Sequence, residues 1–167
     1  MTHRPLFLSA LLAAGLASAP ALAIQPQPGP PLRPSESVWV AAPTPKGGVS
    51  WALLESTKEI TRTDKQGLIR SKPVFPANVK ALAGKRIKVS GYMMPLQNSP
   101  KQTHFVLLAY PPDCPFHLNP APMQFIEVRT ATPVATGYDV VTMEGLLSLH
   151  GDDEQGIFYR FTDAKPG

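Results

Sequence analysis

Cys114 and His117 stand three residues apart in the stretch P-P-D-C-P-F-H-L-N-P-A-P-M-Q, and this C-x-x-H spacing lets one loop offer a thiolate and an imidazole to one metal ion. Those two donors suit zinc or copper better than magnesium or calcium. A structural zinc site is tetrahedral, so further ligands are required. His104, His150 and Asp113 are in reach along the chain, and Met93, Met94 or Met123 would suit copper(I). The candidate metal set is Cys114 and His117, with His104 and Met123 as additional ligands.

Other readings of the same residues stay open. Cys114 is the chain's single cysteine. A lone cysteine is often a small buried hydrophobe, and in an oxidising compartment it can form a disulfide with another chain. His104 is read first as a hydrogen-bonded strand histidine and second as a ligand. The methionines at 93, 94 and 143 lie in strand-like runs and are read first as core filling. Ser90, Ser99 and Ser148 sit in no nucleophile motif, and no glycine-rich phosphate loop occurs, so nothing points to catalysis.

The elements that must position the loop are strands. Five prolines between Pro111 and Gln124 remove backbone donors and fix φ, so the insert is neither helix nor sheet interior. It joins two apolar runs, His104 to Tyr110 and Phe125 to Thr130. Lys85 to Met94 alternates, with Ile87, Val89, Gly91 and Met93 on one face. Val140 to His150 alternates likewise, with Val141, Met143, Gly145, Leu147 and Leu149 aligned. Ile157 to Thr162 is the fifth run. Gly91 and Gly145 inside strands predict bulges or tight coiling. The expected fold is mainly β, a small OB-like five-stranded barrel with one or two short helices; a β-sandwich is the rival. A short helix or turn is expected in W-A-L-L-E-S-T-K, with Trp51 and Leu54 on one face, and a helix over Pro76–Gly84. Lys58 to Thr63 is a short strand followed by a turn at Asp64–Gly67.

The N-terminus reads as a secretory signal peptide. Arg4 precedes the apolar run Leu6–Leu16, and Ala21-Leu22-Ala23 predicts cleavage before Ile24. The run is too short to span a bilayer, and no cysteine follows it to take a lipid. The expected organisation is a signal peptide over 1–23, a Pro/Gly-rich flexible linker over 24–48, the barrel over 49–162 and a tail over 163–167. The expected location is the periplasm, with no transmembrane anchor in the mature chain.

The 167 residues carry a net charge of +4, of which cleavage would remove only Arg4. Nine of the lysines and arginines fall between Lys58 and Lys88. Such a segment can meet a polyanion, a membrane surface or an acidic protein, or can be a solvated face. Aromatic residues are not interleaved with the charges, which argues against nucleic acid. The Asp152-Asp153-Glu154 run reads as a hairpin loop.

The pair G-Y-M-M-P-L (Gly91–Leu96) and K-Q-T-H-F-V-L-L-A-Y-P-P-D-C-P-F-H (Lys101–His117) resembles a family of small bacterial envelope proteins known as domain of unknown function 3299. The likeness covers about Val49 to Thr162. It implies an exported OB-like barrel linked in some bacteria to metal-ion handling, and it supplies no enzymatic activity. Relatives often read C-x-x-C or C-x-H at the loop, so a dithiol role carries over badly to Cys114-Pro115-Phe116-His117. The expected function is that of a non-catalytic periplasmic protein accessory to zinc or copper handling, meeting an envelope partner. The alternatives are a metal-free module docking through the loop with Tyr110 and Phe116, and a thiol partner using Cys114.

Overall fold

A computed structural model of the chain describes residues 40–112, 120–152 and 154–167. Its centre is a closed barrel of five strands: β3 (Arg86–Pro95), β4 (Lys101–Leu108), β5 (Phe125–Ala135), β6 (Val140–Leu149) and β7 (Tyr159–Pro166). Ahead of them lie a one-turn helix α1 (Trp51–Leu54), a separate hairpin of β1 (Lys58–Thr63) and β2 (Ile69–Val74), and a second short helix α2 (Ala77–Lys80). The barrel order is β3-β4-β5-β7-β6, with β6 returning to β3. Every barrel pairing is antiparallel except β5 with β7. That is the strand order of an OB barrel, closed here by seven residue pairs from Arg86↔Leu146 to Tyr92↔Val140.

Alternation fills the interior as the sequence predicts. Ile87, Val89 and Met93 from β3 meet Phe105, Leu107, Ile126, Val128, Met143, Leu147, Tyr159 and Phe161, all buried in one cluster. Met93 and Met143 are thus core residues. Gly91 sits where strands crowd: a Cβ there would lie 2.6 Å from the Leu108 carbonyl oxygen. At Gly145 the β6–β7 register shifts between Glu144 and Leu146. The partner strand accommodates the shift at Asp163, whose φ is +49°, and Arg86 bonds both its carboxylate and its carbonyl.

The helices plug one end. Ser50 caps α1 by accepting from the Leu53 amide at 3.3 Å. Trp51 and Leu54 are buried, and the Trp51 indole donates to the Ser90 carbonyl at 2.7 Å. Tyr159 donates its hydroxyl to the Leu54 carbonyl at 2.8 Å and lies 2.6 Å from the Thr57 hydroxyl. Burial pushes that phenol up to about 12, against a small opposing effect of the Thr57 bond.

Several boundaries differ from expectation. The helix over Pro76–Gly84 shrinks to α2, because the amides of Leu82, Ala83 and Lys85 tighten into three-residue turns. Gly84 then takes φ +71° and donates to Leu147, which feeds the chain into β3. β2 was not anticipated, since I-R-S-K-P-V has no clean apolar face. β4 begins three residues early, at Lys101. β5 runs on past Thr130 through a register shift that accommodates Pro133. β7 extends through Pro166, beyond Thr162, with Ala164 buried. Ala42, inside the stretch expected to be linker, is buried and pairs with Ala109 at 2.8 Å. Among the described residues no helix is long and apolar enough to cross a membrane.

Candidate functional site

Strand direction sorts the loops. β3, β5 and β7 run one way and β4 and β6 the other, so the β4–β5 and β6–β7 connections leave from the same end. The proline-rich loop is the β4–β5 connection. Its described C-terminal root, Pro120–Gln124, forms a 3-10 turn over Pro122–Gln124, braced by the Gln124 side chain. That amide accepts from Ala121 N at 3.0 Å and donates to Glu55 at 3.1 Å. Beside this root lies a cleft of about 560 Å³. Pro120, Ala121, Pro122 and Phe125 line one side, Glu59 and Ile69 of the hairpin another, and Gln155 and Gly156 of the β6–β7 loop the third.

Of the predicted ligands, Cys114 and His117 lie outside the described residues, as do Asp113 and Phe116. Met123 stands in the 3-10 turn and packs, half-buried, against the core. His104 lies elsewhere. It is paired with Arg129 on β5, whereas Leu108, at the loop end of β4, is paired with Phe125. Four strand residues, about 13 Å, therefore separate His104 from the root that holds Met123. Among the described residues no group of three or more His, Cys, Asp or Glu is placed to hold a metal. Tyr110 packs against the core, where burial and a hydrogen bond to Glu55 push its phenol up.

The partner of His104 is a residue that sequence reading missed. Glu127 sits between the inward Ile126 and Val128, so it faces out of the barrel, yet it is 8% exposed. Its Oε1 accepts from His104 Nε2 at 2.8 Å and from Arg129 at 3.2 Å, and Oε2 accepts from Arg160 Nε. Arg160 Nη1 also reaches His150 Nδ1 at 3.2 Å. Burial works to raise the Glu127 carboxyl, but the bonds from Arg160 and His104 and the charges of Arg160 and Arg129 outweigh it, so it is held below the usual carboxylate range. The network ties β4, β5, β7 and the end of β6 together on the outer wall. The one available signal was an acid at an outward position of a strongly apolar strand.

A family model described as "Protein of unknown function (DUF3299)" matches residues 37–159. A crystal structure of a DUF3299 family protein from Pseudomonas aeruginosa is similar at 26% identity with a TM-score of 0.39, over 53% of this chain and 65% of that one. The match thus spans just under two thirds of that protein's length. Among curated proteins, none matches the chain.

Proposed function

The chain belongs to the DUF3299 family of proteins of unknown function, and from that premise we propose an exported, non-catalytic binding protein that works through the loop-bearing end of its barrel. The supporting observation is the convergence of three segments on one cleft: the proline-rich root, the hairpin and the β6–β7 loop. Its walls mix polar groups with the apolar side chains of Ile69, Pro120, Pro122 and Phe125, and Ile69 is 75% exposed at the rim. Prolines stiffen the surface in advance and lower the ordering cost of docking. A partner segment presenting an apolar side chain suits this lining, with Glu59 as a polar contact at the edge.

The test is a photo-crosslinking residue at Ile69 in the exported protein, with Ala121→Arg as the blocking change inside the cleft. One defined adduct that disappears with Ala121→Arg is expected. Adducts indifferent to that change, or an N-terminus that remains at Met1 in the cell, would sink the reading.

A second reading is favoured by the C-x-x-H spacing of Cys114 and His117. In it the same proline-rich loop holds zinc or copper for delivery to the docked partner, with ligands beyond these two supplied by the partner or by Met123.

A further inference from the structure

The hairpin β1–β2 has two unlike faces. Its register sets Lys58 opposite Val74, Ile60 opposite Lys72 and Arg62 opposite Arg70. Side chains alternate along a strand, so these six share one face while Glu59, Ile69, Ser71 and Pro73 share the other. The second face turns toward the barrel. Ser71 is 7% exposed and its amide bonds the Glu154 carbonyl, and Pro73 lies against Gly151, where a Cβ would come within 2.2 Å of it.

The first face looks outward. Ile60 and Val74 are 58% and 48% exposed, beside exposed Lys58, Lys72 and Arg62. Arg62 is paired with Glu154 and Arg70 with Asp64. Lys58 and Lys72 have no carboxylate partner among the described residues. The turn adds exposed Lys65 and Leu68.

We propose that this face seats the protein on an anionic lipid surface. The proposal is independent of the cleft, which uses the ribbon's opposite face. From Lys58 to Val74 the hairpin holds five cations against two carboxylates, Glu59 and Asp64. Each unpaired lysine stands across from an aliphatic side chain, Lys58 from Val74 and Lys72 from Ile60. Such a pairing places ammonium groups at the level of lipid phosphates while the aliphatic neighbours enter the headgroup boundary. Size decides against a protein partner. Two strands of about 20 Å by roughly 10 Å give about 200 Å², far under the roughly 800 Å² per side of a specific protein interface. A lipid surface needs no shape match, and each cation adds its own increment.

The test is co-sedimentation of the full chain with phosphatidylglycerol-containing vesicles and with neutral phosphatidylcholine vesicles. The basic start at Arg4 ahead of the apolar run Leu6–Leu16 favours anionic lipid on its own account, so the hairpin's share is read from the difference between the wild type and the double change below. Tighter binding to the anionic vesicles is expected, weakened by added salt. The double change Lys58→Gln and Lys72→Gln should lower it roughly thirtyfold, about fivefold per lysine, whereas Lys101→Gln on β4 leaves it unchanged. A photo-crosslinker at Ile60 should label lipid. Equal binding to both vesicle types, indifference to the double change, or a protein adduct alone at Ile60 overturns the proposal, the last in favour of an acidic protein partner.

Discussion

His104 Nε2 lies 2.8 Å from Glu127 Oε1, and the same carboxylate receives Arg160 and Arg129. A histidine offered as an additional metal ligand is therefore held by an acid one strand away, and that acid links strands 33 positions apart in the chain.

Acid stability should report this carboxylate. Glu127 is held below the usual carboxylate range in the folded barrel, so it favours folding while ionised. A group with a depressed folded pKa contributes stability above its unfolded value, near 4.3, and loses it as pH falls toward the folded one. Glu127→Gln is expected to cost about 2 kcal/mol at pH 7, below the roughly 3–5 of a fully buried pair because Arg160 and His104 keep some water contact. Urea melts at pH 7 and pH 3 check this. The gap between wild type and variant must narrow at the lower pH.

Tyr159 sets the opposite edge. Its folded phenol is pushed up to about 12, so folding holds the neutral form. A raised folded pKa gives stability that is complete below the unfolded value near 10 and drains away as pH rises through the folded value. Absorbance titration should find one tyrosine silent until about 12, and unfolding should accompany its ionisation. Tyr159→Phe is expected to cost about 1–2 kcal/mol at pH 7 by stranding the Thr57 hydroxyl and removing one of two bonds to the Leu54 carbonyl, which keeps the Thr57 amide. It should also reduce the alkaline loss, leaving the share that the raised Tyr110 phenol contributes.

How much of this was legible follows from where the determinants lie. Ile87-x-Val89-x-Gly91-x-Met93 and its counterpart in β6 announce strands, because a closed barrel must bury every second side chain. β2 was hidden because the hairpin rests on the barrel through Ser71 and Pro73 rather than through an apolar row. The end of β7 was hidden because it bulges at Asp163, and a left-handed aspartate tied to Arg86 leaves no periodic trace. The Glu127 network was invisible for another reason. Residues 104, 127, 150 and 160 meet only once β5 lies beside β7, and that parallel pairing is a property of topology, not of any window of sequence.

The two strand glycines should differ in tolerance. At Gly91 a Cβ would meet the Leu108 carbonyl at 2.6 Å and Leu107 Cγ at 2.7 Å, and backbone cannot step aside. At Gly145 the nearest atoms are Phe161 Cβ and Cγ at 3.0 Å, beside a register shift that can absorb a small movement. Gly91→Ala is expected to cost roughly 3 kcal/mol and Gly145→Ala about 1 kcal/mol, as overpacking scales with what must yield. Chemical denaturation of the two variants decides it. A larger loss at Gly145 would contradict the packing argument.

The metal reading of the loop has its own test, which separates it from docking alone. If Cys114 and His117 are the first ligands, each supplies part of one coordination energy, and Cys114→Ser or His117→Ala should abolish tight zinc or copper(I) binding. The barrel should still melt cooperatively in both. His104 is engaged with Glu127 about 13 Å of strand away from the loop root, so His104→Gln should leave metal affinity intact while lowering stability modestly. Met123→Leu keeps the packing volume against the core and removes the thioether. A loss of copper(I) but not zinc binding in that variant would identify Met123 as a soft ligand. Zinc affinity should fall as pH drops, since thiolate and imidazole must both shed protons to ligate. The measurement is a competition titration against a metallochromic chelator, run on protein never exposed to a nickel column. Wild-type protein that binds neither metal, or Cys114→Ser and His117→Ala variants that bind as the wild type does, would retire the metal and leave the loop as a docking element.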